Sequence, residues 1–266
     1  MSLFIQYWPR YCGRYLDAQT RRPLIITNMN SPQLSVFFPA HNESKNIERL
    51  IAEAEAALKE LKILYEIIII DDGSTDNTAE IVQRLIDKYP HLRLIKHDQN
   101  RGYGAALKTG FLNALGEVVF FSDADGQFDL SDLKTAWRVL SETRADAVVG
   151  YRARRQDPLI RRLAGKTWTI LINTLFQLHY RDIDCAFKMF RRSAVEVIEP
   201  RTLAMTGAMV SPEMLVRLDR RHCRVVEIPV THRPRLYGQQ SGISWRVVKR
   251  AINELIKFWK NERWRN

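Results

Sequence analysis

The 266-residue chain is poor in cysteine, and its three thiols, Cys12, Cys185 and Cys223, are scattered and odd in number. That argues against a disulfide framework and a thiolate zinc site, and it points to a reducing compartment. Long apolar runs are missing too. The longest aliphatic stretch, Ile67 to Ile70 between Glu66 and Asp71, is strand length, far short of the roughly 20 apolar residues of a spanning helix. Met1 to Arg10 has neither a basic leader nor a sustained apolar core, so no secretory signal is expected. The six histidines show no metal-ligand spacing; His41 shapes a loop, and His179, His222 and His232 read as structural. No Gly-Lys-Ser/Thr triplet sits in a phosphate-loop context. Asn100-Arg101-Gly102-Tyr103-Gly104 fails as a dinucleotide fingerprint because Leu107 holds the third glycine position, and it reads as a turn into a helix.

What is present is the composition of a soluble globular protein, 45% hydrophobic and 27% charged, long enough for one large domain or two small ones. The net charge of +11 is less ordinary and suits nucleic acid, an anionic membrane or phosphorylated substrates. Residues 1–33 are aromatic and basic without a clear period and are taken as an appendage. From Leu34 the chain alternates. Leu34 to Phe38, Ile67 to Ile70, Leu92 to Ile95, Val118 to Phe121 and Ala147 to Val149 read as strands. Helical spacing separates them: Ile47 to Leu61 with Ser44 as cap, Ile81 to Ile86, Ala105 to Leu115, and Leu133 to Leu140. Such alternation predicts an α/β fold with a mostly parallel sheet covered on both faces.

In sheets of this kind ligands sit beyond the carboxyl ends of the strands. The sharp polar clusters fall at those ends: Pro39–Glu43, Asp71–Asp76, Asn100–Gly104, Asp123–Gln127 and Tyr151–Arg155. Asp123 and Asp125, one residue apart, can offer hard oxygen ligands to Mg²⁺ or Mn²⁺, with Gln127 adding an amide oxygen; a solvated turn is the plain alternative. Asp71-Asp72-Gly73 can reach a base or ribose. Capping by Ser74, Thr75 or Asp76 accounts for the later residues but not for two carboxylates in a row.

Taken in order, these clusters resemble the family-2 glycosyltransferases of GT-A fold, and more narrowly the dolichyl- and polyprenyl-phosphate sugar synthases. Pro39-Ala40-His41-Asn42-Glu43 is similar to their opening loop, Asp71 to Thr75 to their D-D-G-S-T, and Asp123-Ala124-Asp125 with Gln127 to their metal motif. Asp182 to Arg191, Glu213 and the run from Glu227 through Arg235 and Gly238 to Ser241 resemble their later motifs. Ala186 stands where glycine is typical and Lys188 where arginine is, which exchanges a fork of donors for a point charge. The resemblance implies a metal-dependent, inverting transferase using a UDP- or GDP-linked sugar. It assigns Pro39, Ala40, Asn42, Glu43, Asp71, Asp72, Lys108, Asp123 and Ala124 to the donor, Asp123, Asp125 and Gln127 to a Mg²⁺ or Mn²⁺ ion, and Asp125, Asp184, Glu213 and Arg152 to catalysis.

The acceptor is read from charge. Tyr151 to Lys166 carries a net +5. A phosphate monoester, with a second pKa of about 6, is already an anionic nucleophile and needs cations rather than a base. Arg152, Arg161 and Arg162, with Lys188 and Ser241, are the expected acceptor-phosphate residues, while Arg154 and Arg155 read as surface. Ser244 to Asn266, also net +5, places Trp245, Val248, Ile252, Leu255 and Trp259 on one helical stripe. That describes either a helix lying in a membrane interface or a terminal helix packed on the core. The expected organisation is therefore an appendage (1–33), a GT-A domain (34–242) and a basic amphipathic helix (243–266). The expected protein is cytoplasmic and peripheral on a membrane, passing sugar to a polyprenyl or dolichyl phosphate, with a membrane-embedded partner as a further option. A glycan hydroxyl as acceptor, with Asp184 or Glu213 as base, is the rival enzyme. A catalytically silent sugar-nucleotide or membrane binder is the rival of another class. Nucleic-acid binding is set aside because the charge splits between one loop and one terminal helix.

Overall fold

The apolar run Leu34–Ala40 forms β1, and every residue of it is buried. A computed structural model of the chain describes residues 31–203, 207–238 and 245–263; what the sequence suggests for residues 1–30, for Ser241 and for the Trp245 side chain lies outside the described part. Six further strands join β1: β2 (Tyr65–Asp71), β3 (Leu92–Lys96), β4 (Val118–Ser122), β5 (Ala147–Arg152), β6 (Phe187–Arg191) and β7 (Val225–Val230). They form one sheet in the order β3-β2-β1-β4-β6-β5-β7. Among the described strands β6 alone runs antiparallel to its neighbours, pairing Ser122 with Phe187 and Val149 with Lys188. β1, β2 and β4 are buried throughout, as strands covered on both faces must be. The expected mostly parallel α/β sheet is present.

The covering helices follow the apolar spacing. α1 (Ile47–Leu61) buries Ile47, Leu50, Ile51, Ala54 and Leu58, and ends where Lys62 turns left-handed. α2 (Thr78–Ile86), α3 (Tyr103–Asn113) and α4 (Leu133–Glu142) lie close to their expected positions. Ser44 does not cap α1. Its N–H donates instead to Asp76 Oδ2, because the segment before the helix is stitched to the loop after β2. Over the sheet's centre the rings of Phe37, Phe111, Phe121 and Phe190 pack 5.1–6.1 Å apart, edge-on and offset, at the separations that favour aromatic pairs.

Beyond β5 come α5 (Leu159–Phe176), α6 (Arg192–Ile198), α7 (Val210–Arg220) and α8 (Trp245–Arg263). For α8 the packed alternative holds. Ala251, Leu255 and Phe258 are buried, with the Phe258 ring 5.3 Å from Phe176 of α5, while Val248 and Trp259 are half-buried. No described helix is long and apolar enough to cross a membrane.

Candidate active site

The carboxyl ends of β1, β2 and β4 carry three loops that hold one another. Asn42, at φ 57°, accepts the Thr75 N–H on Oδ1 at 2.8 Å and donates its own N–H to Ser74 Oγ at 2.9 Å. Glu43 accepts from Asn46 Nδ2 and from Arg235 Nη2, each at 2.6 Å. Gly73, at φ 64°, lies so close to the next loop that a Cβ would overlap the backbone of Gln99 and Asn100. Gly73→Ala is expected to destabilise the fold by roughly 1–3 kcal/mol, read as a lower denaturation midpoint.

The two neighbouring aspartates differ. Asp72 accepts from the N–H groups of Arg101 (2.9 Å) and Gly102 (2.8 Å) and contacts His97 Nδ1 at 2.7 Å, so both of its oxygens fix the turn into α3. Asp71 accepts the Ser74 N–H on Oδ1 at 3.0 Å, and its buried Oδ2 has no partner among the described residues. Of the pair, Asp71 is the one left with acceptor capacity.

Beside these loops opens a cavity of about 660 Å³ lined by Asp123, Asp125, Gln127, Arg152, Arg155, Asp157, Arg161, Trp168, Asp184, His232 and Arg235, among others. The strand β4 stops at Ser122, and the turn that follows brings the carboxylates of Asp123 and Asp125 together. Burial, and then the Asp125 charge, push the Asp123 carboxyl well up, with the Tyr103 hydroxyl beside it working against the rise. Asp123 Oδ1 is buried with no hydrogen-bond partner among the described residues. Asp125 is also raised by burial; its Oδ1 accepts the Gln127 N–H at 3.0 Å and its Oδ2 meets Arg235 Nη1 at 3.3 Å. Among the described residues no three His, Cys, Asp or Glu side chains form a metal cluster. Two facing carboxylates, one with an orphaned oxygen, nevertheless fit a Mg²⁺-type ion that takes one or two protein carboxylates and completes its shell with phosphate oxygens.

The basic wall differs in part from expectation. Arg152 is held as a fork by Asp182, Nε to Oδ2 at 2.6 Å and Nη2 to Oδ1 at 2.7 Å, leaving Nη1 toward Asp157 at 4.0 Å. Arg155, read from sequence as surface, lines the cavity and pairs with Asp157 at 3.0 Å. Arg161 lines the cavity; Arg162 is exposed on α5 and does not. Lys188 is fully buried and away from the lining. Its ammonium donates to the carbonyls of Ile183 and Cys185 and to Ser211 Oγ, so it grips the chain on both sides of Asp184 instead of facing a ligand. Glu213 is buried on α7, where Arg217 Nη2 donates to it at 2.6 Å, and it does not line the cavity. Lys108 donates to the Arg201 carbonyl at 2.6 Å and is likewise outside the lining. Pro39 and Ala40 close β1, and Ala124 is buried between the two aspartates.

Asp184 does reach the cavity, and burial pushes its carboxyl up to about 6. Because that folded value exceeds the ordinary one, its favourable contribution is complete below about pH 4 and is lost as pH rises through about 6. Asp184→Asn is therefore expected to melt higher than wild type at pH 8 in the absence of ligand, with the difference vanishing near pH 4. His232, read from sequence as structural, also lines the cavity. Burial, and then the nearby Arg152, push it down to about 4, so it is a neutral ring at physiological pH, edge-on to Phe128 at 5.4 Å. Arg235, Asp157, Tyr103 and Trp168 are site residues to which the sequence reading gave no role; for Arg235 the signal was its place in the Arg…Gly…Ser run ending at Ser241.

Comparison with known proteins gives the family and the fold. Residues 35–198 match the family described as Glycosyl transferase family 2. The dolichyl-phosphate beta-glucosyltransferase ALG5C of Trichomonas vaginalis is 35% identical over 209 residues, 72% of this chain and 61% of that protein. The dolichyl-phosphate beta-glucosyltransferase of Saccharomyces cerevisiae is 31% identical over 77% of this chain and 70% of its own. An undecaprenyl-phosphate 4-deoxy-4-formamido-L-arabinose transferase of Pectobacterium atrosepticum is 30% identical over 77% of this chain and 61% of its own. The chain thus spans between three-fifths and three-quarters of such relatives. Among solved structures, glucosyl-3-phosphoglycerate synthase from Mycobacterium tuberculosis in complex with Mn²⁺, UDP and phosphoglyceric acid aligns with a TM-score of 0.61 at 20% identity, covering 84% of this chain and 78% of that one. A likeness of that kind speaks for the fold.

Proposed function

The chain belongs to glycosyltransferase family 2, and from that premise we propose that it moves a sugar, with inversion, from a nucleotide-sugar donor to a polyprenyl phosphate. The observation that carries this reading is the composition of one cavity, whose lining holds the aspartate pair together with Arg152, Arg155, Arg161 and Arg235. A reaction between two anions, a donor diphosphate and an acceptor phosphate, needs that mixture. The names of the relatives, dolichyl-phosphate and undecaprenyl-phosphate sugar transferases, support the same acceptor class.

On this reading Asp71 Oδ2 accepts an N–H or hydroxyl of the nucleoside, and the stitched loops around Asn42 and Glu43 hold that subsite rigid. Asp123, Asp125 and the Gln127 amide oxygen hold a Mg²⁺ or Mn²⁺ ion, which supplies Lewis-acid stabilisation of the departing diphosphate. Arg235, already 3.3 Å from Asp125, stands ready to counter diphosphate charge. Arg161 and Arg155 hold the acceptor phosphate, while Arg152 acts chiefly by fixing Asp182 and the loop that carries Asp184. A phosphate monoester arrives deprotonated, so no side chain has to remove a proton.

A second reading, transfer to a glycan hydroxyl, draws on Asp184, whose carboxyl at about 6 would suit a general base. Glu213, paired with Arg217 outside the cavity, does not serve it. Labelled UDP- and GDP-sugars with Mg²⁺ and undecaprenyl or dolichyl phosphate separate the two. Label entering the organic phase is the expected result. Label passing only to water or to a soluble glycan would overturn the proposal.

A further inference from the structure

Helix α5 is apolar on both sides. Thr169, Ile172 and Phe176 are buried and form the face that packs on the body. The opposite face, where a surface helix normally carries its charges, holds Leu159, Leu163 and Ile170, with Ile160 and Leu171 beside them. Ile160 is 76% exposed, Leu159 66%, Ile170 57% and Leu163 56%. Isolated exposed leucines are ordinary, but four such side chains on one outward helical face mark a surface built to be covered. On α8, Ile252, which lines the cavity together with Leu171 of α5, is also exposed.

The charges on α5 are of one sign, and on α8 the described acidic residue Glu254 is paired with Arg250 at 3.2 Å. α5 contains Arg161, Arg162 and Lys166 and no acidic residue; Arg162 and Lys166 are exposed, as are Lys249 and Lys257 of α8. Leucine and isoleucine bordered by arginine and lysine is the pattern of a helix lying in a lipid interface. The cavity adds a directional argument. Its walls include Trp168 and Leu171 of α5 and Val248, Ala251 and Ile252 of α8, so it opens between these two helices, next to the exposed apolar face.

We infer that the outward face of α5 docks the protein on an anionic lipid bilayer, with Leu159, Ile160, Leu163 and Ile170 entering the headgroup–acyl boundary and Arg162 and Lys166 meeting lipid phosphates. The reading deepens the proposed function, on which it partly rests: a bilayer-resident acceptor would enter between α5 and α8 without leaving the lipid surface. The docking itself requires no acceptor.

The test uses the full chain and sedimentation with vesicles of phosphatidylcholine alone or with about a quarter phosphatidylglycerol, neither containing a prenyl phosphate. Wild type is expected to partition onto the anionic vesicles, and Leu159→Ser/Ile160→Ser/Leu163→Ser to lower that partition at least about tenfold, since each change withdraws an aliphatic side chain from the interface. None of the three lines the cavity, so transfer to a short, water-soluble prenyl phosphate stays within about twofold. Arg162→Glu/Lys166→Glu, which leaves the apolar face intact, is expected to abolish the preference for anionic vesicles. Equal partition of wild type and triple variant would overturn the inference. So would absence of binding by wild type, or sedimentation showing that wild type self-associates through this face. Binding without transfer would sink the catalytic proposal and leave the docking standing; transfer without binding would do the reverse.

Discussion

Asp125→Asn is expected to reduce sugar transfer by roughly 10²–10³-fold, the scale on which loss of a preorganised electrostatic contact acts, while leaving the melting temperature of the ligand-free protein unchanged or higher. Both halves follow from the same geometry. Burial raises the proton affinity of both carboxyls, the Asp125 charge adds to the rise at Asp123, and Asp157 adds to it at Asp125, so the folded chain bears the strain of like charges held away from water. Neutralising Asp125 relieves that strain. It forfeits the 3.3 Å contact with Arg235, but Arg235 keeps its 2.6 Å bond to Glu43 and another, from Nε to the Tyr237 carbonyl at 2.7 Å. Scanning calorimetry beside the radiolabel assay checks the pair of outcomes. Full activity in Asp125→Asn would remove the basis for assigning the acidic pair to the donor side. A large drop in stability would show that the carboxylate serves the fold.

Arg152 and Asp182 should behave the other way. Their side chains are 12% and 9% exposed and share a bidentate bond, and the Asp182 carboxyl is held low chiefly through Arg152 against the effect of burial. Removing one partner strands a buried charge, which costs about 3–5 kcal/mol. Arg152→Ala and Asp182→Ala are each expected to lower the melting temperature by roughly 6–20 °C, at 2–4 °C per kcal/mol for a chain of about this size. The double variant is expected to lose less than the sum of the two, so that a double-mutant cycle returns a strong coupling. Transfer should fall in all three, since the loop bearing Asp184 is anchored by this pair. Additive losses, or a stable Arg152→Ala with an intact loop and a raised Michaelis constant for the acceptor alone, would return Arg152 to the ligand-binding role suggested by the sequence.

Those two cases show where the sequence was legible. Period and motif order placed the strands from β1 to β5 and put five polar clusters at strand ends, because apolar spacing and strand-end chemistry are local properties. The metal-type pair Asp123 and Asp125 was visible for the same reason. What could not be read was competition among charges. The net +5 of residues 151–166 says nothing about which arginine is already claimed by a carboxylate some thirty residues away, as Arg152 is by Asp182. Arg155 looked idle beside it in sequence and yet faces the cavity. Lys188 and Glu213 sit in recognisable motifs, but their burial is set by α7 and β6 packing together, which no single motif encodes. The tryptophan stripe of α8 left a lipid-facing and a core-packed helix both open, and its own Leu255, with Phe258 beside it, belongs to the core. The outward apolar face lies on α5, where alternating leucine and arginine gave no clear period.

The reversed strand β6 has a consequence for how the protein can vary. β5 ends and β6 begins at the same edge of the sheet, so the chain between them leaves and returns on one side and is spared the crossover that parallel neighbours require. α5 is thus a detour, attached at two adjacent points, and no strand register depends on its length. Such a segment can be exchanged as a cassette. A chimera carrying another helix in place of Leu159–Phe176, with the buried positions 169, 172 and 176 kept apolar or small and Asp182 and Asp184 retained, would keep the nucleotide loops of β1, β2 and β4 intact while presenting a different surface to whatever receives the sugar.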